Sequence, residues 1–308
     1  MPIDDIILPM KKYISVSEAS IKWNVSERSV RNYCVNGKIV GAFFEGKSWK
    51  IPSEANKPIR KKRISKISHN LLIRLKREKE SKLSSGIYHR VQVELTYNSN
   101  HIEGSKLTHD QTRFIFETHT VGLDKKVINV DDIIETTNHF RCIDLVIEHA
   151  NYKLTESFIK QLHFILKSGT SDSRKTWFAV GEYKRIENEV GGSITTKPQD
   201  VSKAMKLLLK KYNASKQKTL QEIIEFHYEF EKIHPFQDGN GRIGRLIMFK
   251  ECLRNGITPF IIEDDIKGFY YRGLKEWKHE QGYLIDTCLT AQDRFKVYMD
   301  YFGLVYQD

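Results

Sequence analysis

His234-Pro235-Phe236-Gln237-Asp238-Gly239-Asn240-Gly241-Arg242-Ile243-Gly244-Arg245 joins two stretches of helical period. Before it, Ile223, Phe226, Phe230 and Ile233 share one helix face; after it, Ile243, Leu246, Ile247 and Leu253 share another. An Asp-Gly-Asn-Gly run can close a β-hairpin, but these flanks have the wrong period for strands. The stretch therefore reads as a glycine-rich loop opening a helix, expected over Arg242–Asn255 after a helix over Leu220–Phe236. Backbone N–H groups at such a start point outward, and the helix dipole favours negative charge, so Gly239, Asn240 and Gly241 form an anion cradle. Arg242 and Arg245, three apart, add charge-assisted donors on the same side. Asp238 beside a phosphate cradle is a natural ligand for Mg2+, which takes one or two carboxylates plus phosphate oxygens. His234 is the nearby group able to accept a proton near neutral pH. Base, metal ligand, phosphate nest and two arginines together point to nucleotidyl transfer.

Helical period continues outward over Ile87–Asn100, Val130–Asn151, Thr155–Lys167, Asp200–Tyr212 and Tyr283–Phe302. Gly181–Lys197 breaks it, and Val190-Gly191-Gly192-Ser193 predicts a hairpin there. Four cysteines lie far apart without a C-x-x-C pair, which argues against a cysteine zinc site or a disulfide framework. With no apolar run near the roughly 18 residues of a membrane span and no signal-like N-terminus, the expected location is the cytoplasm.

The net charge of +11 is unevenly placed. Residues 1–84 hold 19 Lys/Arg against 8 Asp/Glu, and the rest hold 31 against 31. A polyanion partner is suggested for the first quarter alone, against the simpler reading of a solubilising face. There Ser17–Trp23 and Glu27–Val35 read as two short helices about an Asn24-Val25 turn, with Ser26 as N-cap and Gly37 as the stop. Ile39–Phe44 and Ser48–Ile51, about Glu45-Gly46-Lys47, read as a small wing. Tyr13, Ser17-Glu18-Ala19, Val25-Ser26, Val30, Gly37-Lys38-Ile39 and Trp49-Lys50-Ile51-Pro52 resemble the winged helix-turn-helix of the excisionase/MerR-like family. That resemblance implies DNA contacts from Arg28, Ser29, Arg31 and Asn32 on the second helix and from Lys47 at the wing tip. The expected layout is this domain over 1–56, a basic linker over 57–68 and a helical domain over 69–308.

The loop matches His-x-Phe-x-Asp-Gly-Asn-Gly-Arg-x-x-Arg, the signature of the Fic (Fic/Doc) family, at all eight defining positions. A chance match in one chain is on the order of one in 10⁸. The resemblance extends from about Tyr88 to Tyr301 and implies a mostly α, Fic-type helical bundle with a β-hairpin flap beginning at Gly181-Glu182-Tyr183. It further implies transfer of AMP from ATP to a Ser, Thr or Tyr hydroxyl of a protein target, with His234 as base and Asp238 holding Mg2+. Gly239, Asn240 and Gly241 would line the anion hole, Arg242 would grip the β/γ end, and Phe236 would anchor the loop.

Ser99-Asn100-His101-Ile102-Glu103-Gly104 fits the family's inhibitory pattern, Ser/Thr-x-x-x-Glu-Gly/Asn. Ser99 and Glu103 are one helical turn apart, and the resemblance implies that Glu103 pairs with Arg245 and spoils the γ-phosphate position. Glu135, Asn138, His163 and His227 read as ordinary packing or helix-surface residues. Two other readings stay open: a DNA-binding regulator whose helical domain senses nucleotide or dimerises, and an enzyme that removes AMP with Glu103 orienting water.

Overall fold

The computed structural model describes residues 12–35, 37–46, 48–58, 70–122 and 127–306. Lys47, the first eleven residues and most of the expected basic linker lie outside them. The chain divides into two compact units, Met1–Lys66 and Ile67–Asp308. It is mostly helical with small sheets. Among the described residues no helix is long and apolar enough to cross a membrane.

The first unit runs β1 (Tyr13–Ile14), α1 (Val16–Trp23), α2 (Glu27–Val35), β2 (Phe43–Glu45) and β3 (Ser48–Pro52), with the strands antiparallel in the order β1-β3-β2. Ser15 opens α1 through a reciprocal capping box with Glu18. The Ser26 hydroxyl accepts from the Ser29 N–H at the start of α2. Gly37, at φ +63°, carries the chain out of it. Val16, Ala19, Trp23, Val30, Cys34, Ile39 and Ile51 make a small core. The expected strand from Ile39 begins only at Phe43, because Ile39 is buried in that core and the Ala42 N–H turns back to its carbonyl.

The second unit comprises α3 (Leu71–Ser81), α4 (Ile87–Ile102), α5 (His109–Thr118), α6 (Val130–Glu148), α7 (Glu156–Lys167), a hairpin of β4 (Glu189–Val190) and β5 (Ser193–Ile194), α8 (Pro198–Tyr212), α9 (Leu220–Ile233), α10 (Asn240–Asn255), α11 (Lys267–Glu276) and α12 (Gly282–Tyr301). One large apolar core links α3, α4, α6, α7, α8, α9, α10 and α12, and a second gathers α9, α10, α11 and α12. At their crossing is α10, the element the sequence pattern describes least well. It reads as one-sided, yet it is buried on nearly every side from Asn240 to Leu253. Its charged residues must therefore find partners inside. Lys250 donates to the Tyr152 carbonyl at 2.6 Å and to Glu251 at 2.8 Å, and Glu251 accepts from Tyr212 at 3.0 Å.

The preceding helix stops at Ile233 rather than Phe236. Proline disfavours helical backbone at the residue before it and offers no N–H. Pro235 thus ends α9, and His234 turns the chain out of it as a left-handed cap at φ +52°.

Candidate active site

Four residues hold the loop between α9 and α10. Phe236 is fully buried and stacks on the ring of His163 at 4.0 Å. Asn240 grips the Phe236 backbone twice: its Oδ1 accepts from the Phe236 N–H at 2.8 Å and its Nδ2 donates to the Phe236 carbonyl at 2.9 Å. The Asn240 side chain is thus spent on closing the loop, and the anion cradle expected at Gly239–Gly241 has only the helix-start backbone to draw on. Gly239 caps α10 at φ +82°, a conformation few other residues adopt. His163 in turn accepts the Gly181 N–H at 2.9 Å, tying the loop to the segment leading into the hairpin.

The first N–H groups of α10 have no acceptor within the helix. Against this end lies the carboxylate of Glu103, so close to Gly241 that a Cβ there would collide with Oε1. Arg245 is buried and donates from Nη2 to Glu103 Oε1 at 2.7 Å, to the Ser99 carbonyl at 2.8 Å, and from Nε to Ser99 Oγ at 2.9 Å. Its Nη1 is buried without a hydrogen-bond partner. Ser99 and Glu103 come from the last turn and the cap of α4, whose position is fixed further by the Tyr271 hydroxyl donating to the Ile102 carbonyl. The structure thus brings Ser99, Glu103, Gly241 and Arg245 together.

Arg242 and Asp238 belong to a second cluster. Lys167, almost wholly buried, donates to Asp238 Oδ2 at 2.7 Å, to Asp172 at 3.2 Å and to Glu135. Arg242 donates to Glu135 and, at 3.1 Å, to the same Oδ2 of Asp238. Burial pushes the Asp238 carboxyl up, but the charges of Arg242 and Lys167 outweigh it and hold the group well below the usual carboxylate range. Asp238, expected as a metal ligand, is thus an ion-paired carboxylate here. Glu135, read as ordinary surface, bridges two buried cations. Asn138 donates to the carbonyls of Leu166 and Ser168 and so shapes the end of α7. Lys167 carries no motif signal, because it meets Asp238 across a long sequence separation, and Asp172 joins the cluster only through Lys167.

His234 lies between the two clusters. Burial first, and the positive charge of Lys184 second, push its imidazole down to about 4, so it is neutral at pH 7. His227, seven residues earlier on α9, is buried and bonded through Nε2 to the Tyr270 hydroxyl at 2.6 Å. Near it, Glu231 is pushed up to about 8, by burial first and by Glu103 second.

Among the described residues no three His, Cys, Asp or Glu side chains could jointly hold a metal. A single carboxylate, Asp238, with about half its side chain exposed, suits an ion that arrives with phosphate oxygens already attached.

On the first unit, Arg28, Arg31 and Asn32 are exposed on α2, opposite Val30 and Cys34. Arg31 pairs with Glu27 at 2.6 Å, and the Ser29 hydroxyl contacts that of Ser26. Lys47 lies outside the described residues.

This fold and site define a helical domain with an anion-binding helix start, two buried arginines and a neutral histidine on one loop. Residues 153–252 match the family model described as Fic/DOC family, and the chain carries a Fic/DOC family domain. It is 32% identical over 187 residues to the protein adenylyltransferase Fic of Drosophila melanogaster, covering 58% of this chain and 36% of that one. With the Drosophila grimshawi protein of the same name the identity is 30% over 215 residues, covering 67% and 40%. The chain thus spans less than half the length of the curated relatives it matches. A Fic domain containing signaling protein from Bacteroides thetaiotaomicron superposes with a TM-score of 0.56 at 25% identity, covering 75% of this chain and 91% of that one. Fic-1 from C. elegans superposes at 0.58 with 19% identity, covering 79% and 73%, and shares the fold.

Proposed function

We propose that this protein is a self-inhibited protein adenylyltransferase that transfers AMP from ATP to a protein hydroxyl. The observation that carries the reading is Glu103. An anion supplied by the chain itself sits on Arg245 at the α10 N-terminus, where its carboxylate stands in for a phosphate group. In this reading the target Ser, Thr or Tyr loses its proton to His234, and its oxygen bonds to the α-phosphorus. The bond from that phosphorus to the bridging oxygen breaks, and pyrophosphate leaves. Gly239–Gly241 cradle phosphate oxygens with backbone N–H groups. Arg242 and a released Arg245 bind the remaining phosphates, and the incoming negative charge moves His234 up from about 4 toward working pH. Asp238 would hold Mg2+, which supplies charge neutralisation on the phosphates.

Support comes from the eight-position loop match, the Fic/DOC domain and relatives named as adenylyltransferases. Intact-mass spectrometry of the full chain with ATP, Mg2+ and a lysate protein pool tests it. AMP adducts of wild type or Glu103→Gly protein are expected, and none on the chain or any pool protein would refute it.

For the first unit we propose a winged helix-turn-helix that binds duplex DNA. The basic surplus and the exposed Arg28, Arg31 and Asn32 on α2, with Ser29 in its first turn, favour this, and the sequence adds Lys47 as a further candidate contact. Full-chain binding to a random duplex pool should weaken steeply as salt rises, because lysine and arginine displace condensed counterions. Salt-independent or absent binding would count against it.

A further inference from the structure

Lys184 is buried, with 3% of its surface exposed, and its ammonium donates to neutral acceptors: Asn188 Oδ1 at 2.7 Å and Thr195 Oγ1 at 2.6 Å. Burying a charge without a paired carboxylate is costly. Burial pushes the group down to about 8, with the charge of Glu187 acting weakly the other way. A feature that unfavourable calls for a compensating role. Its acceptors suggest one, since Asn188 and Thr195 stand immediately outside β4 and β5, so a single ammonium holds both legs of the hairpin.

The other end of the brace is the loop. The Lys184 N–H donates to the Pro235 carbonyl at 2.9 Å. Asn188 Nδ2 donates to the Phe236 carbonyl at 3.2 Å, and the Ile186 N–H to Gln237 Oε1 at 3.3 Å. These contacts run to the three residues that follow His234. We infer that Lys184 is a positioning residue: it locks the hairpin to the His234 turn and so sets where a target hydroxyl meets the base. The inference rests on the adenylyltransferase reading for its consequence, while the brace itself is a matter of structure.

The simpler alternative is that the legs hold each other. Thr195 Oγ1 also donates to Asn188 Oδ1 at 2.6 Å and to the Asn188 carbonyl at 2.8 Å, and this link survives without the lysine. The charge distinguishes the two. His234 faces Lys184 from the hairpin base, Asp238 from the loop, Glu103 from the end of α4 and the Glu231 carbonyl from α9. Lys184 is the charge that lowers His234 most, and Asp238 acts the other way and stays in the Glu103→Gly background, so without Lys184 the imidazole would hold its proton to higher pH.

The test uses the full chain with Glu103→Gly as parent, and Lys184→Met and Lys184→Arg added to it. Amide hydrogen exchange is followed over residues 184–197 and 234–240, and AMP incorporation is followed against pH. Lys184→Met should speed exchange in those two segments about tenfold and leave the helices unchanged. It should also slow incorporation about tenfold and move the acid limb of the rate profile upward, with Lys184→Arg recovering most of each. Unchanged exchange in the hairpin overturns the brace, and acceleration spread through all helices reduces Lys184 to a folding residue. If the parent incorporates no AMP, the adenylyltransferase reading fails, while the exchange result still decides the brace.

Discussion

Arg242 and Arg245 lie one turn apart on α10 and are equally buried, yet they are held in opposite ways. Arg242 belongs to an alternating array, with Glu135 and Asp238 shared between it and Lys167, and Asp172 closing the far side. Arg245 has one paired carboxylate, that of Glu103 at the C-terminal cap of α4, whose side chain is 29% exposed. Removing one carboxylate from the first array leaves two buried cations short of charge. On the other side, removing Glu103 leaves Arg245 with both Ser99 acceptors, the face of Tyr270 and nearby Glu231. The first half is held by several shared pairs and the second by one, which is the contrast the proposed self-inhibition needs.

The largest effect should come from His234, which both halves share. His234→Ala should lower AMP transfer about 10²–10⁴-fold, as loss of a general base does, while ATP binding measured by calorimetry stays near wild type. Equal loss of binding would mean that His234 holds the nucleotide instead.

Glu135→Ala breaks the comparison on its rigid side. It leaves Arg242 with Asp238 alone and Lys167 with Asp238 and the more distant Asp172, and should destabilise the second unit by about 3–5 kcal/mol, read from urea denaturation. Glu103→Gly should cost less than half as much, and equal losses would erase the distinction between the halves.

Activity gives the converse. Glu103→Gly should raise AMP incorporation tenfold or more, a change that needs only about 1.4 kcal/mol in the barrier. Adding Arg245→Ala should lower it again. Equal incorporation by wild type and Glu103→Gly, both folded, would falsify self-inhibition.

The smallest effect concerns histidines that line both halves. His139, His163 and His227 are each pushed down to about 3, by burial first, then for His139 by Arg242 and Arg245, for His163 by Lys167, and for His227 by Arg245. Their folded values lie below the unfolded value of about 6.5, so the unfolded chain takes up protons first as pH falls. Stability is full above that value and is lost below it, by about 0.4 kcal/mol per histidine between pH 6.5 and 6.0. Denaturation midpoints at the two pH values check this, and a flat response would place these rings in contact with water.

Much of the site was legible because its parts are close in sequence. The loop from His234 to Arg245 carries histidine, carboxylate, glycines and arginines within one turn and one helix start, and Ser99 and Glu103 stood out only through the resemblance to the family's inhibitory pattern. Local chemistry also explains the two capped helices of the first unit. Three α-helices, α3, α5 and α11, escaped the periodicity reading. In α3 and α11 charged residues dilute the apolar stripe, and α5 is a short helix set by its Thr108 cap.

What the sequence determined alone was whatever backbone and neighbours decide: the glycine turn after α9 and the helix start that draws anions. Tertiary structure decided which charges meet. Glu135 on α6, Lys167 on α7 and Asp238 on the loop have no common period, and Lys184 reaches Asn188 and Thr195 only after the hairpin closes. Ion pairing in a buried site depends on distance and on exclusion of water. Both arise only when α10 is enclosed on all sides by the helices that carry its partners.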